Sequence, residues 1–167
     1  VFDNSTKIAT TAYVDRAVLP PTLCNAATAI DYASYVCSVT ITSAQILAFN
    51  GTSTAAVLAI SAPVAGRLIV PSLPQATANF ITGASPYSTT FTLLGTWGAS
   101  GAHTVGLSLP ILSTTLSNSL AYGSNAGPVA VTSSDAAKGL YLYGDDTVTG
   151  GNGSMVVTIV YRVIPMV

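Results

Sequence analysis

The sequence predicts an all-β protein: an antiparallel β-sandwich, jelly-roll-like with about eight strands, preceded by a short N-terminal α-helix. Three observations predict it. Half of the 167 residues are hydrophobic (50%) and only 7% are charged, where about 25% is ordinary. All six acids are Asp, and two Lys with no Glu cannot clothe surface helices that rely on such residues for solubility and i,i+4 pairs. The polar surface must therefore come from 22 Thr and 18 Ser, which suits strands. From Tyr35 onwards apolar residues recur at every second position between clusters of Gly, Pro, Ser and Asn.

The first element is the exception to that period. Asn4, Ser5 and Thr6 offer N-caps, and Ile8, Thr11, Val14 and Val18 follow at helical spacings. Lys7, Asp15 and Arg16 place three of the chain's eleven charges here. Pro20-Pro21 ends the helix. A helix of about eleven residues is marginal alone in water, so the segment needs partners. The chain thus divides into a stem at 1–21 and a head domain at 22–167.

In the head, Tyr35, Cys37, Val39 and Ile41 alternate with Val36, Ser38, Thr40 and Thr42 as a half-buried strand. Ala55–Ser61 is an apolar run, and Arg67–Val70 follows the Pro63 and Gly66 turn. Thr90–Trp97 alternates Phe91 and Leu93 against Thr90 and Thr92. After the turn at Gly98 to Gly101, His103–Leu109 returns with Val105, Leu107 and Leu109 in phase. Pro128–Thr132 and Leu140–Tyr143 are short strands. Beyond Gly150-Gly151-Asn152-Gly153, Met155–Ile164 is the longest, with Val157, Ile159, Tyr161 and Val163 on one face. Antiparallel strands of this spacing read as a sandwich or barrel rather than βαβ units. Because such strands alternate in direction, the connections at about 43–54, 73–88, 110–127 and 145–153 fall at the end far from the helix. The shorter ones at 62–66, 98–102 and 133–138 fall near it. Long loops at one end of a rigid sandwich are where binding sites usually sit.

Composition excludes several classes. Folding would bury about two-thirds of the surface of a chain this long, so a core forms without staples. A net charge of −1 with five scattered cations leaves no basic patch for nucleic acid. No apolar run approaches the roughly 18 residues of a spanning helix, so no membrane insertion is expected. Near-neutral charge beside this much apolar content suggests burial between subunits. The chain begins without Met and shows no signal peptide, which reads as a fragment or a processed product. Cys24 and Cys37 match no zinc spacing. They are either a disulfide or two small buried hydrophobes.

Catalytic patterns are weak. Glycoside hydrolysis needs two carboxylates flanking a bond, whereas Asp145 and Asp146 are neighbours in a turn, where Asp commonly caps the backbone. His103, the only histidine, opens a strand, and no Gly-x-Ser-x-Gly elbow occurs. Asp145, Asp146 and Asn152 match no calcium-loop spacing. The sequons at Asn4, Asn50 and Asn152 are of a kind that a Ser/Thr-rich chain produces by chance. No enzyme activity, cofactor or metal is expected.

The string DNSTKIATTAYVDRAV, Asp3 to Val18, resembles a segment of bacteriophage tail-fibre proteins that precedes the C-terminal part of the fibre. More loosely, ITSAQILAFNGTSTAAVLAI with GRLIVP is similar to the opening of phage-fibre heads, and GNGSMVVTIVYRVI to their closing strand. The resemblance implies a homotrimeric receptor-binding protein on a virion, extracellular after release, with Ile8, Thr11, Val14 and Val18 packed along the threefold axis. Its partners would be other virion proteins and a bacterial surface glycan or protein receptor. A structural virion component (head spike, capsid fibre or tail protein) is the alternative, and a depolymerase a third. Sugar recognition needs flat aromatic faces and planar amide or carboxylate groups. The far loops offer Asn79, Tyr87, Asn118, Tyr122, Asn125, Asp145 and Asp146 as receptor-binding candidates, while Trp97, at the other end, is assigned to packing.

Overall fold

The computed structural model describes residues 24–29, 32–81, 83–99, 103–111, 113–114, 118–125 and 131–166. The expected N-terminal helix, with Ile8, Thr11, Val14 and Val18, lies outside the described residues. The described chain forms two five-stranded antiparallel sheets. Its strands are β1 (Ser34–Ile41), β2 (Val57–Ile60), β3 (Arg67–Pro71), β4 (Thr77–Ile81), β5 (Phe91–Trp97), β6 (His103–Ile111), β7 (Ser119–Tyr122), β8 (Ser124–Asn125), β9 (Leu140–Gly144) and β10 (Ser154–Pro165).

The first sheet runs β1-β10-β4-β7, with β3 also on β10; the second runs β2-β9-β5-β6-β8. β3 and β4 are one lane: both lie antiparallel to β10, and the Ser72 N–H donates to the Val160 carbonyl between them at 2.7 Å. The 3-10 turn Leu73–Gln75, with Pro74 lacking a ladder donor, interrupts that lane. Counting it as one strand and β8 as an extension leaves the strand order of a jelly roll.

Alternation decides which side chains enter the core. In β10, Met155, Val157, Ile159, Tyr161 and Val163 are buried and their neighbours are not. They meet Phe91, Leu93, Leu107 and Leu109 of the second sheet in one apolar cluster. The Tyr35 and Tyr161 rings pack in a tilted pair, 5.6 Å between centroids. Trp97 is buried, and its Nε1–H donates to the Ile69 carbonyl of the opposite sheet at 2.9 Å, so it is a packing residue. Cys24 and Cys37 form a disulfide with Cα atoms 4.9 Å apart.

Three expectations are corrected. β4 and β7 occupy stretches read as loops at 73–88 and 110–127. Val131 and Thr132 are not in a strand; Thr132 instead caps the 3-10 turn Ser133–Asp135, its N–H donating to Asp135 Oδ2 at 2.9 Å. A short helix, α1 (Ser43–Leu47), follows β1. Thr42 and Gln45 form its capping box, with the Thr42 N–H on Gln45 Oε1 at 2.8 Å, and Ile46 is buried beneath it.

Candidate functional site at the tip

Both ends of the described chain lie at one end of the sandwich, here the base. Cys24 accepts a hydrogen bond from Ser61 N–H through its carbonyl, and Met166 N–H donates to Gly66. Gly98 N–H reaches Gly139, and Ala137 N–H reaches Arg67, at the same end. The β1–β2, β4–β5, β6–β7 and β9–β10 connections meet at the opposite end, the tip.

Backbone bonds weave these tip connections together. Asn50 bridges Thr147. Ser88 N–H donates to Thr149 at 2.9 Å, Tyr87 N–H to Ser113 at 3.0 Å, and Asn152 N–H to Ser85 at 3.2 Å. Asn152 Oδ1 accepts from Ser85 N–H at 2.9 Å, and Ser113 Oγ donates to the Thr89 carbonyl at 2.5 Å. Asn50 Oδ1 accepts from Thr52 N–H at 3.1 Å as an Asx turn. Two of the three sequon asparagines are thus part of the loop scaffold.

A cleft of ≈ 390 Å³ opens at the tip, lined by Thr90, Phe91, Thr92, Pro110, Ile111, Asp145 and Asp146. Asp145 extends the β9–β5 pairing by one residue: its N–H donates to Thr92 O at 3.0 Å, and its Oδ1 accepts from Thr92 N–H at 2.7 Å. Asp146 Oδ1 accepts from Thr147 N–H at 2.7 Å. Each carboxylate is oriented by a backbone donor and exposed to solvent. Neighbouring acids held this way can accept hydroxyl or ammonium donors.

The other candidates are dispersed. Tyr87 is buried at 3% exposure, its hydroxyl donating to Gly153 O at 2.6 Å and its ring 6.1 Å from Phe80, so its side chain is part of the core. Burial raises its pKa, opposed by a hydrogen bond from the Ser43 hydroxyl. Asn79 is exposed on β4 opposite Leu120, on the outer sheet face rather than in a loop. Tyr122, 64% exposed, ends β7 level with Thr77, midway down the sheet edge. Asn118 is exposed just before β7 at the tip, and Asn125 lies in β8 opposite Leu107 of the second sheet. Only Asp145 and Asp146 are brought together in the cleft.

Sequence reasoning missed Tyr143. Along β9, Leu140, Leu142 and Gly144 face the core while Tyr141 and Tyr143 alternate outward. That phase continues into Asp145. Burial, and then the Asp145 carboxylate beside it, push the Tyr143 phenol pKa up. The alternation was readable, and extending it one step past the strand would have found the pair.

Among the described residues, no group of three or more His, Cys, Asp or Glu is gathered, and no helix is long and apolar enough to cross a membrane. No protein-family model matches the chain, and no curated protein matches it. Among solved structures it is similar to a chain of the cyanophage Pam1 capsid asymmetric unit: 18% identity, 84% of this chain and 92% of that chain covered, and a TM-score of 0.37.

Proposed function

We propose that the chain is the C-terminal head of a phage tail fibre, a homotrimeric virion protein that attaches the particle to a bacterial surface glycan without modifying it. The observation that carries this reading is the polarity of the domain. Cys24 and Met166, the first and last described residues, both lie at the base, and four connections and the Asp145–Asp146 cleft crowd the tip. A stem at one end and a loop-built surface at the other suit a fibre head. The likeness of Asp3–Val18 to tail-fibre segments supports it independently. Three heads per fibre, and several fibres per particle, would turn weak sugar contacts into firm attachment. Binding suits the two acids better than hydrolysis, because they neighbour each other on one loop and each commits an oxygen to the backbone.

The second reading, a structural virion component, is favoured by the outer face of the first sheet. There Val70, Ile81, Leu120 and Tyr122 are exposed, as on a surface meant for neighbours. Solution mass and attachment to a panel of bacterial cells separate the outcomes. A mass near three times 16.9 kDa with saturable attachment is expected. A trimer that attaches to no cells would favour the structural reading, and a stable monomer would overturn the trimeric fibre head.

A further inference from the structure

We propose, resting on the attachment reading, that the tip cleft continues over Tyr143 and Leu94 onto the outer face of the second sheet, and that this surface takes a neutral or amino-bearing polyhydroxylated chain and rejects one bearing phosphate or carboxylate.

The register builds the surface in rows. Pro110 faces Thr92 across β6 and β5, and Thr92 is tied to Asp145 by their reciprocal hydrogen bonds, so the three span the sheet. The next row inward is Ser108, Leu94 and Tyr143. Tyr143 and Asp145 are two residues apart, roughly 7 Å along the strand and on the same face. Tyr143 is half-buried, and Leu94 beside it is partly exposed. A tyrosine ring offers a flat apolar face to sugar C–H groups, and its hydroxyl offers a donor and an acceptor. The Asp145 and Asp146 carboxylates, each with one oxygen on a backbone N–H, have the other oxygen to accept hydroxyl or ammonium hydrogens. An extended chain laid from the cleft across the sheet meets both kinds of contact in turn.

Charge decides the ligand class. Among the described residues the cations are Arg67, Lys138 and Arg162, and all three lie towards the base. Arg67 carries the carbonyl bonded by Ala137, the Lys138 stem lies over Gly98, and Arg162 sits between Ser34 and Val70. Asp135 is buried there, 3.9 Å from Lys138 Nζ. The tip carries Asp145 and Asp146. An anionic ligand approaching it meets two carboxylates and no described cation, while a neutral or cationic one meets acceptors. Repulsion of this kind gives specificity without added contacts.

The full chain in its native assembly is titrated with three matched probes: the hexamers of N-acetylglucosamine, glucosamine and galacturonate. Affinities come from calorimetry and contact sites from amide chemical shifts. The glucosamine and N-acetylglucosamine hexamers are expected to bind and to shift Thr92, Tyr143 and Asp145, with no binding of galacturonate. Tyr143→Ala should weaken both binders roughly two- to tenfold. The Asp145→Asn, Asp146→Asn double variant should shrink the preference for glucosamine over galacturonate by about tenfold or more. Galacturonate binding as tightly as the others, no probe binding, or unchanged affinity in folded Tyr143→Ala would each overturn the proposal. The same proteins are scored for attachment to bacterial cells. Parent and variants attaching equally well sinks this inference and leaves attachment standing; a parent that attaches to no cells sinks attachment itself.

Discussion

The Tyr87 hydroxyl donates to the Gly153 carbonyl at 2.6 Å, so one phenol ties the β4–β5 connection to the β9–β10 connection. Both Tyr87 and Gly153 are buried. Replacing Tyr87 by Phe keeps the ring against Phe80 but leaves a buried carbonyl without its donor. The expected loss is about 1–3 kcal/mol, read as a lower urea midpoint at unchanged slope. Attachment should survive, because the ring is shielded from any ligand. A variant as stable as the parent would show that water replaces the hydroxyl.

Gly151 is fitted to the same ring. Its φ is +76°, and a Cβ there would lie 2.5 Å from Tyr87 Cδ1. A Cβ on Gly150, with φ +65°, would come no nearer than 3.9 Å to its first contact, the Pro86 carbonyl oxygen. Ala at Gly150 should cost only the left-handed backbone penalty, about 1–2 kcal/mol. Ala at Gly151 should cost clearly more, since the buried ring must also move. Equal losses in thermal melts of the two variants would mean that the loop slides away from Tyr87 freely.

The elements legible in the sequence are those whose large apolar residues face the core. β10 was readable because Met155, Val157, Ile159, Tyr161 and Val163 alternate in one phase and are all buried. β7 was not, because its pattern is inverted: Ala121 points inward while Leu120 and Tyr122 are 53% and 64% exposed. β4 puts only Ala78 and Phe80 inside, too weak a signal beside Asn79. The assignment of long connections to one end holds even so. β3 and β4 run as one lane, and the strand read at 128–132 stands in the count for the missed β7. At the tip, Asp145 and Asp146 were legible as turn acids. Tyr87 was legible as a loop residue between Pro86 and Ser88, but only the folded chain shows its ring buried against Gly151.

The disulfide should contribute measurably to stability. It closes a loop with a sequence separation of 13 between Cys24 and Cys37, and Cys37 is fully buried on β1. Chain-entropy reasoning puts the effect at roughly 2–3 kcal/mol. Denaturant unfolding with and without reductant, beside the Cys24→Ala, Cys37→Ala double variant, should show that loss. The reductant should do nothing further to the variant.

Alkaline pH should unfold the head before general base damage does. Tyr161 is buried in the core, and burial, with Tyr35 beside it, pushes its pKa from 10.0 to about 12. A phenol whose folded pKa is raised favours the folded state fully below its unfolded value. That contribution fades as pH climbs from 10 to 12, because the unfolded chain releases the proton first. The rise amounts to roughly 2–3 kcal/mol for Tyr161, and Tyr87 adds in the same direction. Urea midpoints should be flat to about pH 9 and fall beyond 10. Tyr161→Phe should lose stability at neutral pH yet show a shallower alkaline fall; an unchanged slope would assign the effect to other groups.

Tyr143 and Asp145 can be tested as a pair without any ligand. Desolvation is the larger cause of the raised Tyr143 pKa, and the Asp145 charge is the second. Asp145→Asn removes the charge but keeps an oxygen that can accept from Thr92 N–H, so the loop should hold its shape. The phenol's titration, followed by ultraviolet difference absorbance or ring carbon shifts, should then move down in pH. It should stay above the ordinary tyrosine value, because burial remains. Asp146→Asn should move it less, since Asp145 is the carboxylate that acts on Tyr143. A Tyr143 titration unmoved by Asp145→Asn would place the ring out of reach of the carboxylate, and the path from the cleft onto the sheet would be broken at its first step.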